Sequence, residues 1–147
     1  MIAALSSQDA IIAPLLAMMV LTCGVWLLLG LRRIPFIVRA RLTPAELATP
    51  GLLAQRSPAA VTEVSDNFKN LFEVPVLFYA LGLLLYATQQ VDRGYVAAAW
   101  IFVAFRVAHS LVHCTINKVT LRFALYLMST LAVWFMLGRL LLRYALH

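Results

Sequence analysis

The chain has 147 residues, of which 63% are hydrophobic, and a mean hydropathy of +0.90. That balance excludes an ordinary soluble domain and fits a small polytopic membrane protein. The formal net charge of +6 does not imply a nucleic-acid partner, because its distribution follows the pattern of membrane loops.

The first span is expected over residues 10–32, since Ile11–Leu31 carries no charge. No basic residue precedes it, which argues against a secretory signal, and Arg32 and Arg33 follow it directly. A loop over 33–65 comes next, with Pro35, Pro44, Pro50 and Pro58. Thr43-Pro44-Ala45-Glu46 reads as a helix start, with a Thr cap, Pro at the first position and Glu at the third. Pro50-Gly51 should stop that turn. The segment can lie along the headgroups, where Arg39 and Arg41 would favour anionic lipid.

The second span is expected over 66–90. Val74–Thr88 is uncharged but too short, since a crossing helix needs about 20 residues. It must extend back through Glu73, Asn70 and Asn67. A tight connection, Gln89 to Gly94, makes the next span an antiparallel neighbour. The third span, 94–115, must likewise run on through Arg106, His109 and His113. The fourth, 119–144, begins beside Arg122 and ends with Arg139 and Arg143 as anchors; His147 is a tail residue.

Arg32, Arg33, Arg39, Arg41, Arg56 and Lys69 lie between spans one and two, and Lys118 and Arg122 between spans three and four. The positive-inside rule therefore puts this side in the cytoplasm and both termini outside. The fold class is all-α, a four-helix transmembrane bundle with no room for a separate soluble domain. Cys23 and Cys114 lack metal or redox spacing and read as buried small apolar residues. Trp26, Trp100 and Trp134 fall inside the spans rather than in an interfacial belt.

The topology brings the polar residues to one depth. Asn67, Asn70 and Glu73 share a helix face, as do Arg106, His109 and His113. Ionisable groups within spans usually face the protein interior and carry function. A wet helix start would account for Asn67 and Lys69, with Lys69 and Glu73 weakly paired. Glu73 needs a partner, and Arg106 on the neighbouring helix is the expected one. His109 and His113 could chelate a metal, with Glu73 as the third ligand, but the surrounding cations oppose it and no metal site is expected. Arg122 reads either as an ordinary anchor or as a cation placed to hold an anion or thiolate, with Tyr126 one turn on.

The segment Asp66-Asn67-Phe68-Lys69-Asn70-Leu71-Phe72-Glu73-Val74-Pro75 resembles the second-helix signature of the MAPEG family, membrane-associated proteins in eicosanoid and glutathione metabolism. Arg106-Val107-Ala108-His109-Ser110, with Arg122 and Tyr126 downstream, is similar to its third and fourth helices. The resemblance implies a homotrimer with glutathione bound as cosubstrate between subunits. It matches Asn70 and Glu73 to the glutathione contacts and Arg32 or Arg33 to a basic residue ending the first helix. Arg106 and His109 match third-helix site positions, with His113 where a tyrosine usually stands. Arg122 matches the arginine that stabilises the thiolate, and Tyr126 a nearby contact. Asp66 departs from the pattern, since the enzymatic members carry arginine there. The implied activity is a glutathione-dependent transferase or peroxidase acting on a lipophilic electrophile. The alternative is a non-enzymatic lipid- or partner-binding protein of the same fold. The pattern fits a divergent bacterial-type member in an inner membrane.

Overall fold

The computed structural model describes residues 8–146; His147 lies outside the described residues. All regular elements among them are helical. A 3-10 turn, Asp9–Ile11, leads into α1, Ile12–Ala40. Then follow α2, Pro50–Arg56, α3, Ala59–Asn70, α4, Val74–Ala87, α5, Arg93–Cys114, and α6, Val119–Ala145. α3 and α4 together form one crossing, so four stretches are long and apolar enough to span a bilayer.

The helices outrun the expected spans on the loop side. α1 continues through Pro35 to Ala40, and α3 begins at Ala59, so the connection shrinks to 41–58. Thr43 and Glu46 do form a reciprocal capping box, with Thr43 N–H donating to Glu46 Oε2 at 2.9 Å. Only turns follow it, however. Pro50 starts α2 instead of ending a helix, because Thr49 Oγ1 accepts from the Leu52 N–H and Pro fits the first turn. The Thr43 N–H, and then the Arg56 guanidinium paired with Glu46, hold the Glu46 carboxyl down to about 2.

The core is apolar and interlocked. Phe78 of α4 stacks on Phe102 of α5 with ring centroids 4.3 Å apart. Met18, Leu85, Val133 and Met136 close around them, almost fully buried. Gly82 lets α4 approach α1, since a Cβ there would stand 2.6 Å from Leu15 Cδ2. At the end where α1 begins and α6 ends, Gln8, just before the first turn, is tied to the α4–α5 turn. Its amide donates to Val91 O and accepts from Val91 N–H at 3.1 Å.

The outside is equally apolar. Leu16, Val20, Leu27, Leu83, Ile101, Leu131 and Phe135 are exposed, as are Trp26, Trp100 and Trp134. A surface of this kind faces lipid or protein, not water. Cys114 is buried as expected, but Cys23 stands on the outward face of α1. The buried face of α1 is set by Met18, Val25 and Leu29, and Cys23 falls off that stripe.

Arg139 does more than anchor. It forms a bidentate pair with Asp92, at 2.7 and 2.6 Å, and lies over the Tyr95 ring, 4.5 Å from its centroid. Asp92 also caps α5 by accepting from the Gly94 and Tyr95 N–H groups. Arg139 and these N–H bonds hold the Asp92 carboxyl below the usual carboxylate range. A depressed folded-state pKa stabilises the fold above the unfolded value, about 3.9, and that contribution is lost as pH falls through the folded value. In detergent, Asp92→Asn should lower the melting temperature at neutral pH. It should also shrink the decline seen on acidification below about pH 4. Parallel acid limbs for the two proteins would refute this role.

Candidate functional site

The site begins with a fault in a helix. Pro75 has no N–H and cannot continue the ladder from α3 into α4. The chain turns at Leu71–Glu73, with Glu73 at φ −94° and ψ −104°, and restarts at Val74. An unbroken helix would bond the Asn70 carbonyl to the N–H of residue 74. Here that carbonyl keeps only a 3.5 Å contact from the Glu73 N–H. Arg106 of α5 fills the gap, with Nη2 donating to Asn70 O at 2.9 Å and to Asn70 Oδ1 at 2.7 Å. The Asn70 amide then donates to Glu73 Oε2 at 2.9 Å. Arg106 and Glu73 therefore communicate through Asn70 instead of forming the direct pair expected, because Glu73 sits beyond the break on the exposed side.

Arg106 has 0% exposure, and its Nε and Nη1 are buried without an acceptor among the described residues. A guanidinium offers five donors, and leaving them unpaired in a buried site costs several kcal/mol, on the order of 3–5 for an uncompensated charge. The Tyr126 ring lies 5.8 Å from Arg106 Cζ and offers partial relief by its π face.

His109 stands one turn further along α5, also buried. Its Nδ1 lies 2.9 Å from the Arg122 carbonyl, which can only accept. The ring proton is thereby fixed on Nδ1, and Nε2 keeps a free lone pair with no partner. The His109 ring stands 6.1 Å from Tyr126 and 5.5 Å, edge-on, from His113. His113 Nδ1 is buried and unpartnered as well. No group of three or more metal-ligating side chains occurs among the described residues.

Arg122, half-buried, is held by a chain that spacing gave no hint of. Its Nη1 donates to Asn117 Oδ1 at 2.6 Å, and the Asn117 amide donates to Glu63 Oε1 at 3.1 Å. Asn117 occupies the α5–α6 turn at φ +43°, a conformation asparagine tolerates. Asn70, His109, Arg122 and Tyr126, with Val119 and Phe123, line a cavity of about 240 Å³.

Asn70, Glu73, Arg106, His109, His113, Arg122 and Tyr126 thus form one continuous network. Arg32 and Arg33 do not join it. Arg32 caps the C-terminus of α5, donating to Cys114 O at 3.3 Å, and reaches Ala60 O at 2.9 Å. Arg33 donates to Ser65 Oγ and faces a separate pocket beside α2. Asn67, expected at a wet helix start, is fully buried instead. It accepts from Ser110 and donates to Cys114 Sγ, knitting α3 to α5. Lys69 pairs with Asp66 at 3.0 Å rather than with Glu73.

Four bilayer-length stretches with a polar network at one end define a small integral membrane protein with an internal polar site. The MAPEG family profile matches residues 11–142, nearly the whole chain, and the protein belongs to that family. No curated protein and no solved structure matches it.

Asn70→Ala removes the side-chain acceptor from a buried cation and should destabilise the protein by about 2–4 kcal/mol. Arg106→Met removes the charge with little change in shape and should cost less. In the Arg106→Met background, Asn70→Ala should be nearly neutral. A double-mutant cycle in thermal or denaturant unfolding reads this coupling, and additive effects would sever the link.

Proposed function

We propose that the protein is a glutathione-dependent transferase or peroxidase acting on lipophilic electrophiles. The observation that carries this reading is the buried, half-satisfied guanidinium of Arg106, which bonds Asn70 and lies 5.8 Å from the Tyr126 ring, two residues that line the small cavity together with Arg122. Spare donors in a water-poor site call for an anionic, hydrogen-bonding occupant, and a peptide with carboxylates and a thiol is one. Glutathione would supply the nucleophilic sulfur.

In this reading Arg122 holds the thiolate and lowers the cost of losing the thiol proton. The thiolate attacks the electrophilic carbon, and the leaving group departs with the bonding pair. With a hydroperoxide, the thiolate would take the terminal oxygen as a sulfenic acid while the O–O pair leaves with the alkoxide, which gains a proton to become the alcohol. A second glutathione thiol would then convert the sulfenic acid to the disulfide and release water. Asn70, Arg106 and Glu73 orient the peptide. The 240 Å³ cavity is too small for a whole tripeptide, so a neighbouring copy of the chain would supply further walls. An apolar groove of about 500 Å³ gives a lipophilic substrate a way in from lipid. It lies between α1 and the α3–α4 break and includes Met19, Trp26, Phe72 and Tyr79.

One observation favours the second reading, a binding protein without catalysis. Arg122 is already tied to Asn117, and Arg32 and Arg33 are engaged by the scaffold. Two measurements separate the readings. Glutathione added to detergent-purified protein should raise the melting temperature by mass action, about 2.7 kcal/mol of stabilisation at a hundredfold excess over Kd. Arg122→Ala should then abolish conjugation of a lipophilic electrophile while leaving the folded assembly intact. No thermal shift at saturating glutathione would defeat the glutathione reading. A shift with full activity in Arg122→Ala would remove Arg122 from the mechanism.

A further inference from the structure

α1 is longer than a membrane requires. Its 29 residues reach roughly 44 Å at 1.5 Å per residue, against a hydrocarbon core of about 30 Å. The surplus is at the loop end, where α1 runs past Arg32 for two further turns. It stops at Arg41, which adopts the left-handed conformation at φ +50° and bonds back to Val38 O. Those last turns stand beside the start of α3.

Between the two lies a groove of about 770 Å³. Its apolar walls include Leu31, Pro35 and Phe36 on one side and Pro58 and Val61 on the other. The charged residues lining it are Arg32 and Arg39, and no carboxylate among the described residues lines it. Arg32 is pinned by the Ala60 and Cys114 carbonyls, which use three of its five N–H groups and leave two without a protein acceptor. Arg39 and Arg41 have no acceptor at all among the described residues. Leu31, Ile34 and Val38, exposed at 74%, 64% and 69%, carry an apolar strip up α1 toward these cations.

We propose that this groove is a binding site for one anionic phospholipid. The phosphate would sit between Arg32 and Arg39 in the groove, with Arg41 close by at the end of α1, and the acyl chains would run along Leu31, Pro35 and Phe36 and out onto the exposed strip of Ile34 and Val38. The charge pattern selects the headgroup class. A zwitterionic lipid brings an ammonium that finds no carboxylate lining this groove, whereas a net-negative headgroup meets only cations. The site is separate from the Arg106–Arg122 network and does not rest on glutathione chemistry.

Arg39 and Arg41 are exposed and unpartnered, so replacing them should leave the fold intact. Protein reconstituted in phosphatidylcholine discs doped with phosphatidylglycerol should retain the anionic lipid through native mass spectrometry. Arg39→Gln/Arg41→Gln should weaken that retention by about fivefold per arginine, roughly thirtyfold in all. Arg143→Gln, at the opposite end of the bundle, should not change it. Equal retention of the two lipids, or equal losses from the Arg143 and Arg39/Arg41 variants, would overturn the site in favour of unspecific charge attraction. Displacement by soluble glycerol phosphate at equal concentration would show that the apolar strip plays no part, and the lipid assignment would fall. Displacement by glutathione would assign the groove to the thiol ligand and would also overturn it.

Discussion

The buried guanidinium of Arg106 is the constraint around which the polar end of the molecule is arranged. A charge with no exposure needs acceptors, and a membrane offers none from solvent. The chain finds them by breaking a helix. Pro75 ends the ladder at the α3–α4 junction, the break frees the Asn70 carbonyl, and that carbonyl with its own side chain holds Arg106. Remove the proline and the acceptor would turn back into the helix. Remove the arginine and the break would leave an orphaned carbonyl. Each defect is the other's remedy, which is why a kink and a charge occur at one depth.

The opposite end handles charge differently. Asp92 and Arg139 meet in a bidentate pair that is partly exposed, and Asp92 spends its remaining lone pairs on the first turn of α5. Both oxygens of that carboxylate have partners from the scaffold, and the cluster closes the α4–α5 turn against α6; the neighbouring Tyr95 hydroxyl and Gln90 Oε1 are buried without a partner among the described residues. The contrast lies in the ionisable groups. One end satisfies its charges internally. The other leaves Arg106 Nε and Nη1, His109 Nε2 and His113 Nδ1 buried and open.

Much of this was legible from the residues. Apolar runs too short to cross without Glu73, Arg106 and His113 forced those residues into the crossings, and the alternation of span directions brought them to one end. The family signature around Asn70 and Glu73 then agreed with the profile over residues 11–142. What escaped was partner choice. Arg106 and Glu73 looked like a pair because both were costly, but the backbone break at Leu71–Glu73 turned Glu73 outward and made Asn70 the go-between. Asn117 and Glu63 were invisible because their link to Arg122 depends on the left-handed turn before α6 and on α3 starting at Ala59. Arg32 and Arg33 were adjacent in sequence, yet helical rotation sends one to the end of α5 and the other to Ser65. Cys23 was misjudged because hydrophobicity alone does not say which face of a wholly apolar helix meets protein.

Burial of an ionised network rarely stabilises a fold; an apolar core of the same volume usually does as well or better. Asn67, Ser110 and Cys114 show that this chain can join α3 to α5 without any charge, one turn away from Arg106. The helix break uses only Arg106 Nη2, and the unspent donors Nε and Nη1 add cost without adding contacts. Such a cost is tolerable when another species completes the hydrogen bonding. For a buried guanidinium that species must bring hydrogen-bond acceptors. Arg106 Nε and Nη1 are the donors that lack such acceptors among the described residues.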